Sequence, residues 1–403
     1  MLDGTQDRRA DRRGDAAGSA RASARDAAAV RPAVDEVLDL VRASAGETEQ
    51  SRRVPEAVVT ALRETKINRL FIPAELGGLE APILEVMDVM ERIAAADGST
   101  GWCAAISAGG KVFAGYLPED GARAVFADPD EGNATMFAPT GKVVSENGRA
   151  LLSGRWPFTS NCLHAGWAGL GSRVDGVDDD TSVPRVAFVP VADLTIEDTW
   201  DSVGLRGTGS HHVAAADVAV PADRVCSFAD RPWAEGTLWR LPMYTALVPL
   251  LAAVPLGIAR GALDEIARQG REGRTAQRGQ LADDPLALAA LATADSRLRA
   301  ARAALLEGLA EAWDLAAGGG WPPRPLQARI ALASLHACDV GVEATAVAHQ
   351  LGGGAAAYAG NRLLRALVDV QAARQHLLFA PAHRPVLARA LIGLDVHYPP
   401  FVV

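Results

Sequence analysis

The 403-residue chain is short of cysteine, short of aromatic residues and without a long uninterrupted apolar run. Its four cysteines, Cys103, Cys162, Cys226 and Cys338, lie far apart, with no Cys-x-x-Cys pair and no histidine at a ligand spacing. That pattern suits neither a disulfide framework nor a metal site and reads as free buried thiols in a reducing compartment. Aromatics are 5% of the chain against 49% hydrophobic residues overall, so the apolar mass is small and aliphatic, the composition of a helix-rich protein. The 40 Lys and Arg against 49 Asp and Glu leave a formal charge of −9, which disfavours a phosphate-backbone binder, and no nucleic acid partner is expected. The most apolar stretch, 245–258, is interrupted by Pro249 and Pro255 and falls below the ~20 residues of a membrane span. It is expected to be a buried helix of a cytoplasmic protein that needs no membrane. The first thirty residues contain no apolar signal-peptide core, and Asp7, Asp11, Asp15 and Asp26 argue against a transit peptide; a flexible tail is expected over 1–30.

Several common chemistries are also absent as motifs. No Gly-x-Gly-x-x-Gly lies between a strand and a helix, since Gly169-Leu170-Gly171 lacks the third glycine and Gly352 to Gly354 sits among helices. There is no Gly-x-Ser-x-Gly, no His-Glu-x-x-His and no phosphate-binding P-loop.

What is present falls into three parts. Val34, Val37, Leu38 and Val41 repeat at helical spacing, and helical segments follow at Pro55 to Thr65 and Leu84 to Ala95, giving an N-terminal helical domain over 31–132. Near Thr135 the character changes. Asn147-Gly148 suits a tight hairpin turn, and Arg185 to Val189 and His212 to Val220 are short β-branched runs bounded by prolines, giving a β domain over 133–230. The helical period then returns to the end of the chain, with Leu298, Ala301, Leu305 and Leu309 as one stripe and Leu363, Leu367 and Val370 as another, so 231–403 is expected to be a helical bundle.

Three polar segments interrupt this pattern. In Gly154 to Asn161 (GRWPFTSN) a strand runs into Phe158, Thr159, Ser160 and Asn161, whose hydroxyls and N–H groups suit a ligand edge and equally suit a turn. In Gly204 to His212 (GLRGTGSHH) three glycines permit close backbone approach, or simply form a loop with His211 and His212 in solvent. Arg362, Asp369 and His376, spaced at seven, fall within about 40° of one another on a helix. His376 then lies near a helix end among apolar groups, where an imidazole can exchange a proton near neutral pH or can be structural.

Taken in order, IPAELGG, DGSTGW at 97–102, GRWPFTSN, VGLRGTGS and the Gly-rich turn before the last helix resemble the acyl-CoA dehydrogenase fold over nearly the whole chain after residue 30. FAPTGKVV, SGRWPFTSN, TWDSVGLRGTGSHHV and ARQHLLFAP are closer to the two-component (group D) flavin-dependent monooxygenases of that superfamily. The resemblance implies a mostly α fold: N-terminal helices, a β-barrel middle domain and a C-terminal four-helix bundle. It implies reduced FMN or FAD as a diffusible cosubstrate supplied by a separate NAD(P)H:flavin reductase, O2 as oxidant through a C4a-hydroperoxide, a homotetramer, and an aromatic, heteroaromatic or polycyclic small-molecule substrate. His376 corresponds to the catalytic acid or base, Thr159 to the hydroxyl facing flavin N5 with Ser160 next to it, and Phe137 and Pro139 to the loop beside the flavin ring. Trp156 and Phe158 belong to the same wall, and Arg274 or Arg278 corresponds to the arginine given to a neighbouring subunit's flavin phosphate. Aligned on Trp102, the position of a substrate-contacting histidine is Gly110, which implies a larger or differently oriented substrate. An acyl-CoA dehydrogenase would need a carboxylate base, but the matching late segment reads Arg374-Gln375-His376-Leu377 and no Glu or Asp occurs from Gly236 to Leu263. That reading and an N-hydroxylating monooxygenase are the alternatives.

Overall fold

The protein is described by a computed structural model covering residues 7–146, 149–176, 185–276 and 279–396. Five helices come first: α1 (Asp7–Ser51), α2 (Glu56–Glu64), α3 (Ile83–Ala96), α4 (Gly98–Lys111) and α5 (Glu119–Val125). The expected tail is therefore helical from Asp7, and Ala27 and Val30 are already buried. Asp97 starts α4 by accepting the Thr100 N–H at 2.8 Å, which satisfies one of the free donors of a helix N-terminus.

Seven strands follow: β1 (Gly132–Glu146), β2 (Arg149–Trp156), β3 (Ala165–Val174), β4 (Arg185–Pro190), β5 (Thr195–Glu197), β6 (His212–Ala219) and β7 (Val225–Ser227). They form one sheet in the order β5-β6-β2-β1-β3-β4-β7, antiparallel except for the parallel β1–β3 pair. The outer strands β5 and β7 are edges, so the expected barrel is an open mixed sheet. The β1–β2 register ends at Glu146 opposite Arg149, the pairing of a two-residue hairpin, while Asn147-Gly148 itself lies outside the described residues. Strand β3 carries no strong β signal in the sequence because its interior contains Gly169 and Gly171. The packing requires one of them: a Cβ on Gly171 would stand 2.3 Å from the Phe137 carbonyl oxygen of the irregular β1 crossing beside it.

The C-terminal part contains α6 (Met243–Arg271), α7 (Pro285–Ala317), α8 (Arg324–Leu351), α9 (Arg362–Arg374) and α10 (His383–Leu391). Helix α6 passes through both prolines and is twice the length expected from its apolar stretch; 94% of its most apolar window is buried, as in a core helix. It packs on α3, α4, α8 and α9, and its Ala and Gly residues allow close approach: a Cβ on Gly257 would lie 2.2 Å from the Glu91 carbonyl. The four cysteines are free and buried, and burial pushes the Cys162 and Cys338 thiols up to about 12.

Candidate functional site

Strand β2 ends at Trp156, and the chain then turns through two left-handed residues, Phe158 (φ 59°) and Asn161 (φ 66°). Such conformations are costly for non-glycine residues and cluster at functional turns. The Phe158 ring is 59% exposed and meets Trp200 and His212 edge-on at 6.2 and 5.7 Å. Thr159 is turned inward, fully buried, with its hydroxyl donating to the Trp156 carbonyl at 3.2 Å. Ser160 is the hydroxyl that points toward α4.

Ser160 belongs to a hydrogen-bond chain whose direction is fixed by proton count. The Thr208 O–H donates to the Leu205 carbonyl at 2.8 Å, so its oxygen accepts the Ser210 O–H at 2.7 Å. Ser210 in turn accepts the Ser160 O–H at 2.7 Å, and Ser160 accepts the Trp102 Nε1–H at 3.1 Å. Each hydroxyl has one proton, and each is spent in the same direction. Thr208 and Ser210 lie in the Gly204 to His212 segment flagged in the sequence, but neither was named there as a site residue. His211, which the simple-loop reading would place in solvent, is buried; its Nδ1 accepts the backbone N–H groups of Thr199 and Trp200.

Above Ser160, the buried Trp102 ring contacts His376 edge-on, with centroids 5.5 Å apart. His376 lies just past α9 rather than within it, at the start of a short turn ending at Phe379. Its Nδ1 accepts the Leu378 N–H at 3.3 Å, which leaves the ring proton on Nε2 in the neutral tautomer. The ring keeps some solvent contact, yet the crowding of protein atoms around it disfavours the charged form and lowers its pKa to about 4. Arg374 holds this turn through the Phe379 carbonyl and Asp339, and the His383 ring nitrogen pairs with the Leu377 carbonyl at 2.7 Å.

Asp369 lies two turns earlier on α9 and is buried, and one carboxylate oxygen accepts the Leu205 N–H at 2.6 Å. Burial, then the charge of Asp97, raises its pKa to about 8. Arg362, the first member of the predicted stripe, instead donates to the Ala95 carbonyl at 3.0 Å.

The other predicted positions separate from this cluster to different degrees. Phe137 and Pro139 are half-buried on the irregular part of β1, with Phe137 edge-on to Phe113 and Phe228. Trp156 is not part of an open wall: it is fully buried in the sheet core and donates to the Gly171 carbonyl at 2.7 Å. Gly110 does not enlarge a pocket, since a Cβ there would stand 2.7 Å from Thr135 Cγ2 and 2.8 Å from Asn133 Oδ1. Arg274 bonds Gln269 and the Gly352 carbonyl of its own chain, and Arg278 lies outside the described residues.

These residues fit a flavin. An exposed aromatic ring on a strained turn offers a face for a flat heterocycle, and the adjacent Ser160 oxygen keeps one lone pair after accepting the Trp102 N–H. That lone pair matches a ring N–H, which reduced flavin carries at N5.

Family models agree with this architecture. Residues 25–124 match the acyl-CoA dehydrogenase N-terminal domain, and residues 250–381 match the acyl-CoA dehydrogenase C-terminal domain. The chain is 33% identical over 350 residues to the indole-3-acetate monooxygenase of Pseudomonas putida, covering 86% of this chain and 89% of that protein. It is 32% identical over 366 residues to HsaA, the oxygenase subunit of a flavin-dependent monooxygenase from Rhodococcus jostii, covering 88% and 95%. XiaF of a Streptomyces species, solved in complex with FADH2 and glycerol, superposes with a TM-score of 0.85 at 25% identity over 97% of this chain and 99% of that one. The chain therefore belongs to the flavin-dependent monooxygenases built on the acyl-CoA dehydrogenase fold.

Proposed function

We propose that this enzyme is the oxygenase component of a two-component system. It takes reduced FMN or FAD from a separate NAD(P)H:flavin reductase and uses O2 to hydroxylate an aromatic, indole-like heteroaromatic or polycyclic small molecule. The observation that carries this reading is the one-way hydroxyl chain ending at Ser160 beside a neutral His376. Reduced flavin, when bound, supplies the electrons for oxygen activation. Ser160 offers that cofactor an acceptor for a ring N–H; its own proton is committed to Ser210, so in this arrangement it has no donor for oxidised flavin N5. Phe158 and Phe137 offer ring faces and edges for stacking. His376, neutral at physiological pH with its proton on Nε2, donates a hydrogen bond toward a substrate or oxygen-derived group and can give and regain that proton. The Trp102 and Phe379 rings pack edge-on beside it at 5.5 and 6.3 Å.

The dehydrogenase reading loses ground on the same residues. His376 stands where a base would act, and the carboxylate on the preceding helix α9, Asp369, is buried and turned to the Leu205 amide. The proposal retains a cytoplasmic homotetramer in which Arg274 or Arg278 reaches a neighbour's flavin phosphate; Arg274 would exchange its bonds to Gln269 and Gly352 for that phosphate.

The test supplies the full chain with reduced FMN or FAD from a generic NAD(P)H:flavin reductase and a panel of phenols, indoles and polycyclic aromatics. One class should yield a hydroxylated product whose new oxygen is labelled from 18O2. A preparation that instead purifies yellow with bound FAD and bleaches with an acyl-CoA overturns the proposal.

A further inference from the structure

Both walls of the site meet at a single residue, Leu205. The Leu205 carbonyl ends the hydroxyl chain that begins at Trp102, and the Leu205 N–H is held by Asp369 on the helix that leads to His376. The fit is tight, since a Cβ on Gly204 would stand 2.0 Å from the Val368 carbonyl oxygen and a Cβ on Gly98 would stand 2.9 Å from the second oxygen of Asp369. A second carboxyl approaches from α4, the helix that carries Trp102. Asp97 gives one oxygen to the N–H and O–H of Thr100, and its other oxygen is buried without a hydrogen-bond partner. Asp97 and Asp369 line one cavity of about 40 Å³ together with Arg42, Arg362 and Arg365.

Two buried carboxyls in one small cavity cannot both ionise without compensation. The surrounding arginines, of which Arg365 favours the charged form of both carboxyls, offset this only in part, because each is itself paired. Arg365 is paired with Glu49 at 2.8 Å, Arg362 faces Glu265 at 3.7 Å, and Arg42 pairs with Asp39. Glu49 itself adds negative charge near Asp369, and the α6 wall contributes only Ile258, Gly261 and Ala262.

The geometry points to Asp97 and Asp369 as a carboxyl pair holding one proton, with Asp369 as the positioning residue that sets His376 against the Ser160 chain. The inference rests on the proposed role of His376. As pH rises through about 8 the proton leaves, two negative carboxyls share the cavity, and their repulsion pushes α9 away from the start of α4. The folded pKa of Asp369 lies above the ordinary 3.8, so the folded protein holds more protons than the unfolded chain across that interval. Its stability contribution is therefore full at low pH and is lost as pH rises to about 8, where it levels off.

The test compares the wild-type full chain with D369N and D97N, reading product formed per reduced flavin consumed from pH 7 to 9 and the thermal midpoint from pH 4 to 9. The wild-type yield should fall about tenfold above pH 8, the size of a one-unit change in a coupled protonation equilibrium. D369N, whatever its yield at pH 7, should show a level yield across that range and a flatter thermal profile, and D97N, which leaves Asp369 buried but removes the repulsion, should show a smaller decline than wild type in both readings. A wild-type-like decline in both variants overturns the inference, and D97N answers the question if D369N fails to fold. Loss of His376 function is read separately. If H376A couples like wild type while D369N still flattens the thermal profile, the proton pair stands, and the positioning role falls together with the His376 reading.

Discussion

The eight residues from Gly154 to Asn161 hold two unlike regions. Up to Trp156 the segment is sheet strand, and Trp156 is its interior: the indole is fully buried and its N–H is paired with Gly171. From Phe158 onward it is a strained turn with an exposed ring and a hydroxyl tied into a chain reaching α4. Adjacent residues of one motif therefore serve different ends, and the direction of each side chain, set by strand alternation and then by left-handed φ values, decides which. The difference can be broken most forcefully by paired truncation. W156A removes the bulkiest fully buried side chain and should cost about 3–5 kcal/mol in urea or thermal unfolding. F158A should leave stability within about 0.5 kcal/mol while weakening reduced-flavin binding by about 1 kcal/mol, near fivefold in Kd. Equal stability losses would erase the division.

His376 sharpens the functional half. H376A should lower hydroxylated product by about 10²- to 10⁴-fold at pH 7, with the hydroxyl chain intact and reduced flavin still bound. Its pKa is lowered from 6.5 to about 4, so the neutral ring's contribution to stability is present above pH 6.5 and lost as pH falls toward 4. The difference in thermal midpoint between wild type and H376A should therefore shrink across that window. A constant difference would show that the ring is not held neutral by burial.

The three-part division was legible because helical spacing and β-branched runs record burial directly: Leu298, Ala301, Leu305 and Leu309 are one buried face of α7. Strand β3 was not legible, because glycines chosen for close backbone approach erase the β signal they enable. His376 and Ser160 could be named from the chain, yet the role of Asp369 comes from a hydrogen bond spanning 164 residues to Leu205, which no local pattern reports, and that of Thr208 from a hydroxyl chain whose far members, Ser160 and Trp102, are distant in sequence. Thr159 and Trp156 show the converse limit. The resemblance nominated both, and the structure turns both side chains inward, Thr159 onto the Trp156 carbonyl and Trp156 onto the Gly171 carbonyl.

Gly110 tests how that site is bounded. Its hydrogen faces Asn133 and Thr135 on β1, so α4 sits directly against the sheet. G110A should cost about 1–3 kcal/mol through overpacking and should not change which substrates are accepted by size. Wild-type stability combined with rejection of larger substrates would instead place Gly110 in the substrate pocket.

The smallest expected difference is the most informative, because it compares two neighbouring hydroxyls. T159A removes a single inward bond to the Trp156 carbonyl and should cost about 0.5–1.5 kcal/mol of stability, with product per reduced flavin unchanged. S160A leaves the Trp102 Nε1–H without its acceptor and the Ser210 oxygen without its donor, both in a buried setting, at a cost of about 1–3 kcal/mol. It also removes the oxygen proposed to meet reduced flavin, so more of the consumed flavin should end as hydrogen peroxide, and reduced-flavin affinity should fall more than oxidised-flavin affinity. If T159A uncouples the enzyme and S160A does not, Thr159 rather than Ser160 is the hydroxyl that meets the flavin, as the resemblance implied.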